Sequence, residues 1–305
     1  MADQSFLGSV FHILTTPSLK KTGWACIASI MHNFFLSQYK AVFFPGRIPI
    51  TAVDHPLDNE IPFTPSRVTT YMDFSGFWVR TADFLLAQYG ARAEEPVRNF
   101  IESIGNLYKY AGEVYTKNLS TTDRPRYYGR FKFILIHATD PHLMCIPSLH
   151  VMVVIHTYTM FRNILTSLGE TEAQAERIEA VRKYALDITE SILYVKQHSV
   201  NCISATMYAM TRLDGDCFPQ EEAEDFVSRL FTDPPSPPRR DEIRTFLIER
   251  YRAFLEMDKD NPDWKSPLLT FLTNPDIFAP VGAGQSGNPP SVGDPGVAFT
   301  LYGKP

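Results

Sequence analysis

Hydrophobic side chains recur at intervals of three and four residues along most of this chain, which is the spacing of one face of an α-helix. The longest such face runs from Val97 to Tyr115, and a second, from Ile178 to Thr206, predicts one long helix beginning near Thr171. Apolar and polar residues rarely alternate one by one, as they would along a β-strand, so no convincing sheet is predicted. The pattern therefore predicts an all-α fold with a helical-bundle core. Further helices are predicted near residues 21–44, 66–90, 149–168 and 240–257.

Proline marks the breaks between these helical segments. Residues 44–65 and 232–240 are rich in proline and predict loops, the second being either a stiff surface linker or a polyproline docking segment. Residues 276–305 are rich in glycine and proline and almost uncharged, which predicts an extended or disordered tail. We therefore expect a single helical domain over residues 1–275.

Composition narrows the class of protein further. The chain has 305 residues, of which 44% are hydrophobic and 21% charged, with a net charge of −5, as in globular proteins. The mild acidity and the absence of an obvious basic stripe argue against nucleic-acid binding. The four cysteines lie far apart without a C-x-x-C pair, which argues against a zinc site and favours a reduced, cytoplasmic protein. They are Cys26, Cys145, Cys202 and Cys217.

Two apolar stretches require a separate test as membrane spans, which take about 20 apolar residues. Residues 22–39 and 141–161 contain no Asp, Glu, Lys or Arg, but the second holds three histidines and a Pro-Ser break. The N-terminus lacks the basic start and apolar run of a signal peptide. We expect no integral membrane segment, and leave open peripheral contact with a membrane and a homo-oligomer.

Three short segments carry the candidate chemistry. They are KNLSTTDRP at residues 117–125, PSLH at 147–150 and SILYVKQHSVNC at 191–202. In order and spacing they resemble the signature of the type-2 phosphatidate phosphatase and vanadium haloperoxidase superfamily. That signature reads Lys and Arg-Pro, then Pro-Ser-Gly-His, then Ser-Arg followed by His and Asp. The resemblance covers roughly residues 60–210 and implies a helical bundle of the acid phosphatase type.

The chain also departs from this signature at three positions. Leu149 replaces the glycine, Ile192 replaces the arginine and Cys202 replaces the aspartate, whereas Ser191 and His198 keep the expected separation. The sequence KQH at residues 196–198 resembles the variant in the branch that includes inositol-phosphorylceramide synthases. That branch favours a lipid or isoprenoid substrate.

The residue types suit the binding of a phosphate dianion. Arg124 can form bidentate hydrogen bonds, and Lys117 supplies a point charge. Ser148 and the backbone N–H groups around Leu149 begin a predicted helix, and helix N-termini offer unpaired donors to anions. The sequence therefore predicts a phosphate cradle built from these four residues.

The resemblance also implies roles for two histidines. His198 would attack phosphorus and form a phosphohistidine, while His150 would protonate the leaving oxygen. The ordinary pKa of imidazole, near 6.5, suits both tasks. No metal is required, and vanadate could occupy the cradle as an inhibitor or prosthetic group. The implied activity is hydrolysis of a phosphomonoester or diphosphate, with phosphoryl transfer or vanadium-dependent halide oxidation as alternatives.

Cys202 is the feature that favours a non-catalytic binding or scaffold protein instead. On one helix, residues four apart share a face, so an aspartate at 202 would orient the His198 imidazole. A thiol is a weak hydrogen-bond acceptor. Another acid could substitute, and Asp140, Asp187 and Glu190 are the candidates. Ser191 and Lys196 have uncertain roles, and on an ideal helix Lys196 would point away from the site.

Overall fold

The computed structural model describes residues 5–259 and 261–278, and nearly all of their regular structure is helical. The predicted all-α class is confirmed. A π-helical turn, Met31–Leu36, joins α2 to α3, and short 3₁₀ turns cover Pro56–Glu60, Pro65–Arg67 and Pro275–Phe278. The helices are α1 Phe6–Thr15, α2 Lys20–Ile30, α3 Ser37–Phe43, α4 Val68–Met72, α5 Phe74–Tyr89, α6 Ala91–Tyr115, α7 Phe131–Thr139, α8 Leu149–Ser167, α9 Ala175–Tyr194, α10 Val200–Leu213, α11 Gln220–Arg229, α12 Arg240–Asp258 and α13 Lys265–Thr273.

The core forms around α6, α8 and α10. The apolar face predicted on α6 is buried along its whole length, and α6 packs against α2, α5 and α8. Helix α8 also packs on α5 and α9, and α10 packs on α8 and α12. Because α8 and α10 are buried on nearly every side, polar side chains near their first turns are held in a low-dielectric interior.

The single long helix predicted beyond residue 171 is wrong. Helix α9 ends at Tyr194 and α10 begins at Val200. Lys196 between them has a φ of 56°, in the left-handed region that a helix cannot continue through. Ser199 then caps α10, its hydroxyl accepting a hydrogen bond from the N–H of Asn201 at 3.2 Å. The apolar period runs across this break, which is why the pattern alone does not reveal it.

The other predicted helices are confirmed with local interruptions. Residues 21–44 form α2, the π-helical turn and α3, and residues 66–90 form α4 and α5 with a break at Asp73. Helices α8 and α12 match their predicted bounds within about one residue. The segment 232–240 is mostly exposed and contacts the protein's own core, where the Tyr194 hydroxyl donates to the Pro235 carbonyl at 2.5 Å.

The expectation of no sheet needs one correction. Strands β1 Ile50–Ala52 and β2 Leu119–Thr121 pair in parallel, with Ile50 opposite Leu119. Three residues are too few for a visible alternation of polar and apolar positions. Ser120 also forms a bridge with Met144, which ties the segment before α8 to this ladder.

Two further expectations concern membranes and the tail. Within residues 5–259 and 261–278, no helix combines the length and the apolar character needed to cross a membrane. Of the predicted tail, residues 276–278 belong to the last 3₁₀ turn, and residues 279–305 lie outside the described residues.

Candidate active site

The start of α8 is held in place by β2, α6 and α10. The Ser120 hydroxyl accepts hydrogen bonds from the N–H groups of Cys145 and Ile146 at 3.1 and 2.8 Å. The Tyr115 hydroxyl donates to the Pro147 carbonyl at 2.5 Å. The N–H of Ser148 donates to the Thr206 hydroxyl at 2.8 Å. These bonds satisfy buried backbone groups and fix the direction in which the first turn of α8 presents its side chains.

His198 lies in the turn between α9 and α10, and a half-buried carboxylate holds that turn. Asp58 accepts hydrogen bonds from the N–H of Val200 at 2.8 Å and from the N–H of His55 at 2.7 Å. The Lys196 ammonium group donates to the Asp58 carbonyl. Burial raises the pKa of Asp58, although hydrogen bonds from Ser199, Val200 and His55 act in the opposite direction.

These two anchored segments bring the predicted histidines together. The Ser148 hydroxyl lies 3.2 Å from Nε2 of His198, and the ring centroids of His150 and His198 are 5.5 Å apart. The His150 ring also contacts the rings of Tyr71 and Phe74, at centroid distances of 5.0 and 4.3 Å. The serine and both histidines therefore form one cluster, although 50 residues separate Ser148 from His198.

Arg124, in the loop after β2, binds two residues that adjoin this cluster. One guanidinium nitrogen donates to Oε1 of Gln197 at 3.2 Å, and the other donates to the Asp140 carbonyl at 2.8 Å. The guanidinium also lies 4.0 Å from the Asp140 carboxylate. Because Gln197 directly precedes His198, the only predicted guanidinium ligand lies beside the candidate nucleophile.

Three of the predicted residues do not join the cluster. Lys117 is exposed in the turn between α6 and β2, and its ammonium group contacts no partner among the described residues. The Ser191 hydroxyl donates to the Asp187 carbonyl of its own helix at 2.6 Å. Lys196 is neither on a helix nor free in solvent, because it binds Asp58. The backbone N–H of Ser148 is also used internally, so the residues of the predicted cradle that remain at the site are Arg124, Leu149, which lines the cavity, and Ser148 through its side chain.

Cys202 contacts a second thiol rather than orienting His198. It lies in the first turn of α10 and is fully buried, and Cys145 is its thiol neighbour. Burial, followed by the neighbouring Cys145, raises the pKa of Cys202 well above its ordinary value. Nδ1 of His198 is buried without a hydrogen-bond partner in the described structure. Glu190 is engaged elsewhere, accepting from the N–H of Phe231 at 2.5 Å.

Cys145 and His142 are neighbours of the site that the motif comparison does not include. Nε2 of His142 lies 2.7 Å from the Thr122 hydroxyl and 3.9 Å from Sγ of Cys145. Burial opposes ionisation of Cys145, but hydrogen bonds from Cys202 and His142 and the positive charge of His142 lower its pKa well below the ordinary value. His142 lies three residues before Cys145, a spacing that hints at a pair but is too common to identify one.

The electrostatics favour a neutral His150 in the unliganded protein. Burial, followed by the charge of His198, lowers the pKa of His150 to about 3. A bound dianion would act in the opposite direction, because a nearby negative charge favours the protonated imidazole. His150 is therefore arranged to gain a proton when an anion binds.

The space at the cluster is small. The cavity has a volume of about 10 Å³, enough for roughly one water molecule, so a phosphoryl group requires side chains to move. A larger groove of about 340 Å³ lies between α6 and α8 but contains no histidine or cation. The small cavity is lined by Phe34, Asp140, His142, Met144, Cys145, Leu149, His150 and His198.

Comparisons with known protein families, curated proteins and solved structures found no match for this chain. Among residues 5–259 and 261–278, no group of three or more His, Cys, Asp or Glu side chains is placed to hold a metal ion.

Proposed function

We propose that this chain is a metal-independent phosphatase in which His198 is the nucleophile. One observation carries the proposal: His150 and His198 come from separate segments and line one cavity, the Ser148 hydroxyl contacts His198, and Arg124 binds Gln197, the residue next to His198. A guanidinium, a hydroxyl and two imidazoles are the groups that phosphoryl transfer needs for binding, attack and proton donation.

The first step forms a bond between Nε2 of His198 and phosphorus and breaks the bond from phosphorus to the leaving oxygen. The Ser148 hydroxyl, 3.2 Å from Nε2, is placed to hydrogen-bond the phosphoryl oxygens once substrate displaces its contact with His198. Arg124 exchanges its bonds to Gln197 and Asp140 for bonds to the same phosphate. Charge-assisted bonds of this kind are among the strong ones in proteins.

His150 supplies the proton that the leaving oxygen takes up. The phosphate dianion raises its pKa from about 3 in the free protein, so the imidazolium forms only with substrate present. In the second step a water molecule returns a proton to His150 as its oxygen attacks phosphorus. The bond between nitrogen and phosphorus then breaks, which releases phosphate and restores neutral His198.

The substrate we propose is a phosphorylated lipid, isoprenoid diphosphate or related small molecule, in the cytoplasm. If an alcohol replaces water in the second step, the same site transfers the phosphoryl group. Vanadate would bind in place of phosphate as an inhibitor, and a vanadium-dependent haloperoxidase would use the same ligands.

One observation favours a different class of function. Nδ1 of His198 has no carboxylate partner in the described structure, and such a partner would stabilise the imidazole as it reacts. A helical binding protein that retains a degenerate phosphate site would show the same feature. It would bind phosphate or vanadate without turnover.

A chelator-containing assay on soluble and lipid phosphate esters tests the proposal. The wild type should release phosphate from at least one ester, and His198→Ala should release none. His32→Ala is the matched control for soluble esters, because His32 is exposed in the π-helical turn. Binding of vanadate without any turnover, or full activity in His198→Ala, would contradict the proposal.

A further inference from the structure

The exposed apolar side chains of this protein are concentrated in one region. Of the fourteen large apolar or aromatic side chains exposed among the described residues, thirteen lie between residues 6 and 44 or between 128 and 135. We call these thirteen the apolar face. They are Phe6, Leu7, Phe11, Trp24, Met31, Leu36, Tyr39, Phe43, Phe44, Tyr128, Phe131, Ile134 and Leu135.

The helices that carry the apolar face lie next to one another. Helix α1 packs beside α2, and α2 continues through the π-helical turn into α3. Helix α3 lies beside α7, where the Tyr39 hydroxyl donates to the Thr139 carbonyl at 3.1 Å. Phe131 and Leu135 share one side of α7, and Phe131 is 76% exposed. Exposed apolar side chains gathered on neighbouring helices are typical of an interaction site.

The charged side chains of the two segments that carry the apolar face are all basic. Residues 5–53 and 124–139 contain eight of the 29 lysines and arginines and none of the 34 aspartates and glutamates. Lys20, Lys21 and Lys40 are exposed along α2 and α3, and Arg130 is exposed at the start of α7. Since the whole chain has a net charge of −5, the fold separates a cationic, apolar face from an acidic remainder.

We propose that the apolar face docks on the surface of an anionic phospholipid membrane. Aromatic side chains such as Trp24 and Tyr39 favour the boundary between lipid tails and water. Lysines and arginines beside them are attracted to anionic headgroups, by about 1 kcal/mol for each cation near the surface. A second copy of the chain is a poorer occupant, because a two-fold contact through this face would bring two cationic surfaces together.

The face also adjoins the catalytic cavity, which deepens the proposed function and rests on it. Phe34 of the π-helical turn lines the cavity. Gln38 on α3 donates to the Asp140 carboxylate at 2.6 Å, and Asp140 follows the last residue of α7. The helices that present apolar side chains outward therefore also border the histidines. A lipid phosphate in a docked membrane would approach His198 from this side.

Sedimentation of the full chain with vesicles tests the docking. The wild type should bind vesicles of phosphatidylcholine and phosphatidylserine at least about tenfold more tightly than vesicles of phosphatidylcholine alone, and added salt should reduce the difference. The double variant Trp24→Glu/Phe131→Glu should lose at least about tenfold in affinity for the mixed vesicles. Ile277→Glu, at the remaining exposed apolar side chain, is the matched control and should bind like the wild type.

Equal binding of both variants, or no binding by the wild type, would overturn the docking. A wild-type dimer that Trp24→Glu/Phe131→Glu converts to a monomer, without vesicle binding, would assign the face to a second copy instead. Circular dichroism and urea midpoints confirm that each variant is folded.

The test of membrane docking can fail or succeed independently of the test of catalysis. His198→Ala should bind vesicles like the wild type, whether or not the wild type shows turnover. Trp24→Glu/Phe131→Glu should lose activity on a lipid phosphate in vesicles but keep it on a soluble ester. If the wild type binds vesicles but hydrolyses no ester, the docking stands and the catalytic proposal is wrong. If it hydrolyses a soluble ester but does not bind vesicles, the catalytic proposal stands and the docking is wrong.

Discussion

Two buried histidines in this protein have opposite surroundings. His156, on α8, has both ring nitrogens engaged: Nδ1 with the Asp214 carboxylate at 2.8 Å and Nε2 with the Ser103 hydroxyl at 2.6 Å. His198 has its Nε2 3.2 Å from the Ser148 hydroxyl and its ring beside that of His150, but its Nδ1 has no hydrogen-bond partner within the described residues. Both side chains are only about 4–6% exposed, so water does not supply the missing bonds freely.

The difference separates a structural histidine from one that can do chemistry. A buried nitrogen without a partner costs about 1–3 kcal/mol, so a fold selected for stability alone would satisfy it. His156 is satisfied and can do no more than hold α6, α8 and the end of α10 together. His198 has a weakly engaged Nε2 that faces a cavity and a second histidine.

The largest expected effect comes from replacing each histidine by alanine. His198→Ala should abolish turnover and leave the free energy of unfolding nearly unchanged, because it removes an unsatisfied nitrogen. His156→Ala should lower the free energy of unfolding by about 2–4 kcal/mol, because Asp214 and Ser103 lose their partner, and should leave turnover per folded molecule unchanged. Urea unfolding and phosphate release measure the two quantities. The same effect from both substitutions would remove the distinction.

His150→Gln should show the next largest effect. Proton donation by a general acid raises the rate by about 10²–10⁴-fold. The turnover rate should therefore fall by this factor for esters with poor leaving groups, which need the proton, and much less for p-nitrophenyl phosphate. An equal loss on both esters would mean that His150 only shapes the cavity.

The same variant tests the link between protonation and anion binding. An anion that raises the pKa of His150 from about 3 must bind more tightly as pH falls, by up to about tenfold per unit from pH 7 to pH 5. Sulfate is the suitable probe because it does not titrate in that range, and calorimetry gives its affinity. His150→Gln should remove the pH dependence. If the dependence persists, another titratable group that lines the cavity is its source.

Cys202→Asp should make His198 more like His156 by giving Nδ1 an acceptor. If position 202 is the orienting position, turnover should rise severalfold, and an acidic side chain also suits the first turn of α10. Cys202→Ser is the control, since it has similar size without the carboxylate and should show no gain. A folded Cys202→Asp without any gain would mean that residue 202 serves only to pack against Cys145.

Asp58→Ala should produce the smallest effect. It removes the acceptor for the N–H of Val200 and loosens the turn that carries His198, which should lower the free energy of unfolding by about 1–2 kcal/mol. The kcat should fall more than KM rises, because Asp58 acts on the position of His198 and not on the substrate. An unchanged kcat with reduced stability would limit Asp58 to a structural role.

The sequence predicts the fold where the apolar pattern is long and regular. Helices α6, α8 and α12 have such patterns, and their positions are confirmed. The break at residues 195–199 escapes the pattern because apolar residues continue on both sides of it. That error also placed His198 and Cys202 on one helix, whereas His198 lies in the turn before α10.

The site is predictable only where local motifs already contain its residues. Ser148, His150 and His198 belong to such motifs, and they meet in the structure. Cys145 and Asp58 come close to His198 through tertiary packing, which spacing along the chain does not encode. The cationic, apolar face is hidden for the same reason, since its two segments, residues 6–44 and 128–135, lie 84 positions apart in sequence.

Trapping of phosphate on the protein is the most direct test of the central claim that His198 is a nucleophile. The full chain is mixed with a ³²P-labelled phosphate ester, quenched in alkali, digested and mapped by mass spectrometry. We predict an acid-labile, alkali-stable label on the peptide that contains His198, absent in His198→Ala and retained in His156→Ala once corrected for folded protein. Turnover with no labelled histidine, or equal labelling in His198→Ala, would contradict the account.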